Sequence, residues 1–151
     1  MNDFSPPGPV DVRTWPVWNV LRFHAAVVVE NANQVGVTTL SPRLMSHLAL
    51  LLYAKGLYVE AEPLMRRAVE ILETKPVPDH NLATALDNLA QLLQATNQLV
   101  KAEPLMRRAL KINEDSYGPN HPNVAIRLNN LASLLQDTNR LAEAEPLMQR
   151  A

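Results

Sequence analysis

The sequence predicts an all-α fold in which antiparallel helix pairs stack into a solenoid. Three observations carry this expectation: a recurring eight-residue block, a helical spacing of apolar residues within each recurrence, and small residues at equivalent positions. AEPLMRRA runs from Ala61 to Ala68 and again, unchanged, from Ala102 to Ala109, and AEPLMQRA follows from Ala144 to Ala151. The interval from Ala61 to Ala102 is 41 residues and that from Ala102 to Ala144 is 42, a period that marks an array of stacked units. The similarity extends upstream. LDNLAQLLQATNQLVKAEPLM (Leu86 to Met106) aligns with LNNLASLLQDTNRLAEAEPLM (Leu128 to Met148), and more loosely with MSHLALLLYAKGLYVEAEPLM (Met45 to Met65).

Taken in chain order, residues 1–12 are expected to form a flexible lead-in, because three prolines and a glycine fall within Ser5 to Pro9. The repeat domain follows over 13–151: an N-terminal helix at 14–34, repeat one at 41–75, repeat two at 81–115 and repeat three at 123–151. That makes about seven helices, with the third repeat stopping inside its second helix and without the polar helix that seals a solenoid end. Leu86, Leu89, Ala90 and Leu93 lie at i, i+3, i+4 and i+7, and Leu99, Ala102, Met106 and Ala109 follow a similar face with a one-residue drift. The polar group Ala95-Thr96-Asn97-Gln98 between them is short enough to force an antiparallel pair. Ala49, Ala90 and Ala132 hold one site of the first helix, and Ala61, Ala102 and Ala144 one site of the second; alanine there lets the backbones approach while leucines fill the remaining space.

Pro63, Pro104 and Pro146 fall a little over one turn beyond Tyr58, Leu99 and Leu141. Near a helix start at most one ladder bond is lost, so the prolines read as start markers, with a regular helix after each and a slightly bent or loosely wound turn before it. Between repeats, TKPVPDHN (Thr74 to Asn81) and SYGPNHPN (Ser116 to Asn123) end one helix and begin the next. Asn81 or Asn123 is placed to cap the following helix, His80 and His121 to occupy equivalent loop positions and shape the loop by a hydrogen bond, and the loops to absorb the one-residue difference in period.

Composition excludes several functions. The chain of 151 residues suits one domain and contains no cysteine, which removes disulfides, thiolate metal sites and cysteine nucleophiles, and fits a reducing compartment. With 14 basic and 15 acidic residues, the net charge of -1 gives no broad positive field for nucleic acid or anionic lipid. The longest apolar run, Ala25 to Val29, is far short of the ~20 residues that span a bilayer, and the N-terminus lacks the features of a secretion signal. The expectation is a cytoplasmic protein with no membrane contact. His24, His47, His80 and His121 include no i, i+4 pair, and Ser116, Ser133 and the acidic residues form no triad or dyad by spacing, so no metal, cofactor or catalytic residue is expected. Arg66, Arg67, Arg107, Arg108 and Arg150 form a stripe on the second helices. A basic stripe suits acidic peptides or RNA, but Glu62-Arg66 and Glu103-Arg107 have the i, i+4 order of a solvated, self-paired face, and the self-paired face is the preferred reading.

Leu-Asn-Asn-Leu-Ala, the Ala-Glu-Pro-Leu block and Gly-Pro-Asn-His-Pro-Asn-Val-Ala together resemble the long-loop tetratricopeptide repeat of the kinesin light chain type, from about Ser41 to Ala151. The resemblance implies a right-handed superhelix whose first helices line a concave groove that binds a protein or peptide as an extended segment. It places Arg43, Ser46, His47, Leu50 and Tyr53 in that groove from repeat one, Thr84, Asp87, Asn88, Gln91 and Gln94 from repeat two, and Ile126, Asn129, Asn130, Ser133 and Gln136 from repeat three. Asn88 and Asn130 match the family's groove asparagine, whose amide both donates to and accepts from a peptide backbone, whereas His47 stands at that position in repeat one. RTWPVWNVLRFHAAVVVENA (Arg13 to Ala32) is similar to the helix that opens the repeat region of bacterial NB-ARC-type signalling ATPases, with Phe23 where that family often has proline. This second resemblance implies a regulatory arm that packs against a nucleotide switch, with Trp15 and Trp18 at the joint, although no GxxxxGK[ST] loop is present in this chain. Exposed Leu141, Leu147 and Met148 on the last helix are expected to offer a surface for self-association.

Overall fold

The computed structural model describes residues 41–151. These form six helices: α1 (Pro42–Ala54), α2 (Tyr58–Glu73), α3 (His80–Ala95), α4 (Leu99–Tyr117), α5 (Pro122–Asp137) and α6 (Leu141–Arg150). The expected N-terminal helix, His24 and both tryptophans lie outside the described residues. The six helices make three antiparallel pairs stacked in chain order, the α-solenoid expected from the period. Each helix packs on its sequence neighbours, and α1 also meets α3 directly. The first helices of the pairs therefore approach one another along one face.

The second helices are instead tied across their outer surface by long charged side chains. Arg108 of α4 pairs with Glu73 of α2, Arg140 with Glu103 at 2.6 Å, and Arg150 of α6 with Glu114 of α4 at 2.6 Å. Every arginine of the stripe is matched: Arg66 to Glu62 at 2.7 Å, Arg67 to Glu70 at 2.9 Å and Arg107 to Glu103 at 2.8 Å complete the set.

The small-residue sites are the places of closest packing. Ala49, Ala61, Ala90 and Ala102 have no exposed surface, and Ala132 and Ala144 keep 1 %. Around them Leu86, Leu93, Leu128 and Leu135 are fully buried in one apolar cluster that runs from Leu48 to Ala144. Within each pair the turn has one form. Asn97 and Asn139 (both φ 59°) and Gly56 (φ 73°) hold equivalent positions in the left-handed region. The next residue's N–H reaches back to the helix, as Gln98 does to the Leu93 carbonyl at 2.7 Å, and Leu57 and Arg140 repeat that bond to Leu52 and Leu135. This is the Schellman closure, and it needs a residue that tolerates positive φ, which is why glycine or asparagine recurs there.

The prolines sit inside α2, α4 and α6, which begin at Tyr58, Leu99 and Leu141 and run unbroken across Pro63, Pro104 and Pro146. The carbonyls that lose a ladder donor belong to Val59, Val100 and Ala142, all exposed residues in the first turns of their helices.

The helix starts after the loops differ from expectation. Asp79, not Asn81, caps α3, accepting from the N–H groups of Asn81 and Leu82 at 3.0 and 3.1 Å. His121, not Asn123, caps α5, its Nδ1 accepting from the Asn123 N–H at 3.1 Å. His121 thus has the expected loop-shaping hydrogen bond, but its counterpart in the repeat is Asp79; His80 is already the first residue of α3. The additional residue of the longer period also lies elsewhere than in the loop. α4 has 19 residues against 16 in α2, and the linker after it, Gly118 to His121, is shorter than Thr74 to Asp79. Pro76 disfavours helix at Lys75 and so ends α2 early, whereas α4 continues through Ser116 and Tyr117 to Gly118 at φ 82°.

Candidate functional site

Among the described residues, two bays lie on the face on which α1, α3 and α5 line up. The first, of about 700 Å³, lies between the starts of α1 and α3 and brings together Arg43, Ser46, His47, Leu50, Thr84 and Asn88. Lys75 and His80 also border it, and among the described residues no Asp or Glu does. The second, of about 440 Å³, lies between the later turns of α3 and α5 and brings together Tyr53, Gln91, Gln94, Asn130 and Ser133, with Asp137 at its rim. Eleven of the fifteen residues expected in a groove therefore line one bay or the other.

The other four are placed differently. Asp87 retains 1 % exposure and is a buried strut between α3 and α5. Its Oδ2 accepts from Arg127 Nη1 at 2.7 Å, Asn130 Nδ2 at 2.7 Å and Gln91 Nε2 at 2.8 Å, so it is committed to the scaffold and does not line either bay. Ile126, Asn129 and Gln136 border neither bay. Their counterparts Thr84, Asp87 and Gln94 are the residues through which α3 meets α5, so in α5 the same register faces away from α3. Ile126 and Asn129 are exposed there, and Gln136 Nε2 lies 3.4 Å from the Met148 sulfur of α6.

Arg127 is the residue that the repeat pattern did not single out. It joins residues of the two bays, with Nη1 on Asp87, which holds Gln91 and Asn130, and Nη2 donating to Thr84 Oγ1 at 3.1 Å. A signal for it exists in the sequence: an acid at 87 and a base at 127 each replace an uncharged residue found at the same register in the other repeats, Ser46 and Asn129 for the acid, Leu44 and Ala85 for the base. Paired departures of opposite charge on neighbouring first helices point to a contact between them. Burial raises the Asp87 pKa, while the Arg127 charge and the hydrogen bonds from Gln91, Asn130 and Arg127 draw it back.

The two asparagines expected in a groove are not equivalent. Asn88, half-buried, makes no side-chain hydrogen bond to the protein among the described residues, whereas the Asn130 nitrogen is committed to Asp87. His47 stands exposed in the first bay beside Asn88, and Ser46 turns its hydroxyl back to the Pro42 carbonyl at 2.9 Å. On α6, Leu141 and Met148 are exposed at 58 % and 44 %, but Leu147 is half-buried against the core. Among the described residues no group of His, Asp or Glu is arranged to hold a metal ion, and no helix is long and apolar enough to cross a membrane.

Comparison with known proteins locates this architecture. The tetratricopeptide repeat family model matches residues 40–115 and 97–151. No curated protein matches the chain significantly. Among solved structures, BtubC (BKLC) from P. vanneervenii is 26% identical with a TM-score of 0.66; the alignment covers 85% of this chain and 53% of BtubC, so the chain spans about half that protein's length. Two structures of a Podosopora anserina putative kinesin light chain with nearly identical TPR-like repeats, one of them carrying a point substitution, share the fold. The substituted form has a TM-score of 0.69 at 19% identity, covering 94% of this chain and 70% of its own; the other has 0.68 at 20%, covering 94% and 71%. The NB-ARC resemblance rests on residues 13–32, outside the described part, and the matches are to repeats.

Proposed function

Because the chain belongs to the tetratricopeptide repeat family, a class of protein-interaction scaffolds, we propose that it holds an extended segment of a protein partner along the face formed by α1, α3 and α5. The observation that carries this reading is the uncommitted amide of Asn88 in the wall of the first bay. A peptide backbone offers an N–H and a carbonyl at every residue, and an asparagine amide answers both. Gln91 and Asn130 continue the same line on α3 and α5 with their oxygens still available. Membership of the tetratricopeptide repeat family supports recognition of a partner as the role of this site. The absence of cysteine suits a reducing, cytoplasmic setting, and the self-paired arginines of the outer face favour protein over nucleic acid as the partner.

A randomised library of extended peptides tests the proposal. Asn88→Ala combined with Asn130→Ala is expected to weaken selected binders about tenfold or more, the effect of removing neutral hydrogen bonds at two backbone contacts. Circular dichroism verifies that the helices persist. Equal binding by the folded double variant and the wild type retires the groove.

A further inference from the structure

The second bay differs from the first in the sense of its hydrogen-bonding groups. Gln91 Nε2 and Asn130 Nδ2 both donate to Asp87, and Gln94 Nε2 donates to Asp137. A side-chain amide is planar with nitrogen and oxygen on opposite arms, so fixing each nitrogen on a carboxylate turns its oxygen away from that carboxylate. None of these three oxygens accepts a bond from the described residues, and none is sealed from solvent. They are solvent-accessible acceptors on residues that line the bay. Tyr53 and Ser133 add hydroxyls, and Asp137 adds a carboxylate. The charge of Asp87 is matched by Arg127, which reaches toward Thr84 on the wall of the first bay. Among the described residues the Asp137 charge is matched by no ion pair and no cationic side chain lines the second bay.

Several fixed acceptors, one carboxylate and an aromatic ring suit a group that brings many donors and a positive charge. Guanidinium carries five N–H donors in a planar fork and stacks on aromatic faces. We propose that the second bay is a subsite for an arginine side chain of the bound segment. The inference rests on the groove reading and specifies which side chain this part of the groove selects.

Arrayed extended nonapeptides in a Gly-Ser background test it, each carrying arginine, its neutral analogue citrulline, or glutamate at one position, with the 151-residue chain as the probe. At one register the arginine peptides are expected to bind about tenfold more tightly than the citrulline peptides, as charge-assisted hydrogen bonds outweigh neutral ones. Asp137→Asn, on an exposed last turn where folding is not at stake, is expected to remove most of that preference, and Asp137→Lys to turn it toward glutamate. Equal binding of arginine and citrulline peptides, or a preference unchanged in both Asp137 variants, overturns the subsite. If citrulline peptides still lose binding in the Asn88→Ala and Asn130→Ala double variant, the groove reading survives that result. If no peptide depends on those asparagines, both ideas fall together.

Discussion

Asp79 caps α3 and Asp87 lies two turns into its body, and the two carboxylates are perturbed in opposite directions. Burial holds Asp87 above the usual carboxylate range despite Arg127, whereas the hydrogen bond from Lys75, with those from Asn81 and Leu82, holds Asp79 well below it. The signs of their pH dependence are therefore opposite. The folded state keeps the Asp87 proton more tightly than the unfolded chain, so its contribution to stability is fully present below the ordinary value of 3.8 and is lost as pH rises through the raised one. Asp79 contributes above 3.8 and loses its contribution as pH falls toward the depressed value. Urea unfolding measures both: Asp79→Ala is expected to cost about 1 kcal/mol near neutral pH and progressively less in acid, as a lost helix cap does. Asp87→Ala strands Arg127, with 12% of its side chain exposed, and is expected to cost about 3 kcal/mol or more; Asp87→Leu with Arg127→Leu is expected to recover most of that. That this aspartate is buried was not legible from the repeat pattern, which assigns faces one helix at a time. Its environment is set by a side chain 40 positions away on the next first helix.

The helices themselves were legible because their signals are local. Apolar spacing fixed the faces, the alanine sites fixed the contacts, and the count from Tyr58, Leu99 and Leu141 located each proline in its helix. The caps were less legible because the register of one helix start depends on where the previous helix ends. α4 continues past the point at which Pro76 stops α2, and this moves His121 into the place that Asp79 holds in the preceding repeat. The turns inside each pair depend on one residue with positive φ. Nothing lies within 4 Å of a Cβ placed on Gly56, so Gly56→Ala meets no clash and its cost isolates the left-handed backbone. Thermal or urea unfolding is expected to show a loss of about 1 kcal/mol. Asn97→Gly at the matching turn is expected to cost nothing measurable, since glycine enters that region at least as readily. A loss at Asn97 equal to that at Gly56 would contradict the role assigned to the turn.

Across the molecule, the helices pack on near neighbours, so stability is a sum of repeats and the interfaces between them, and the groove is a product of that stacking. The two faces are joined by different means. The inner face is tied by the buried contact of Asp87 with Arg127, and the outer face by exposed pairs such as Arg108 with Glu73 and Arg150 with Glu114. Exposed pairs are screened by salt and buried ones much less. The array is in this respect a two-leaf spring with one salt-sensitive leaf. Raising ionic strength from about 0.05 to about 0.5 M is expected to weaken the exposed outer pairs more than the buried inner one, letting the outer helices spread and the coil tighten. Small-angle scattering is expected to record a shorter maximum dimension at high salt, and a variant with Arg108→Gln and Arg150→Gln is expected to start from that shorter dimension and respond less. On that expectation the outer charges of Arg108, Glu73, Arg150 and Glu114, which line neither bay, tune the elastic rest shape of the surface that does.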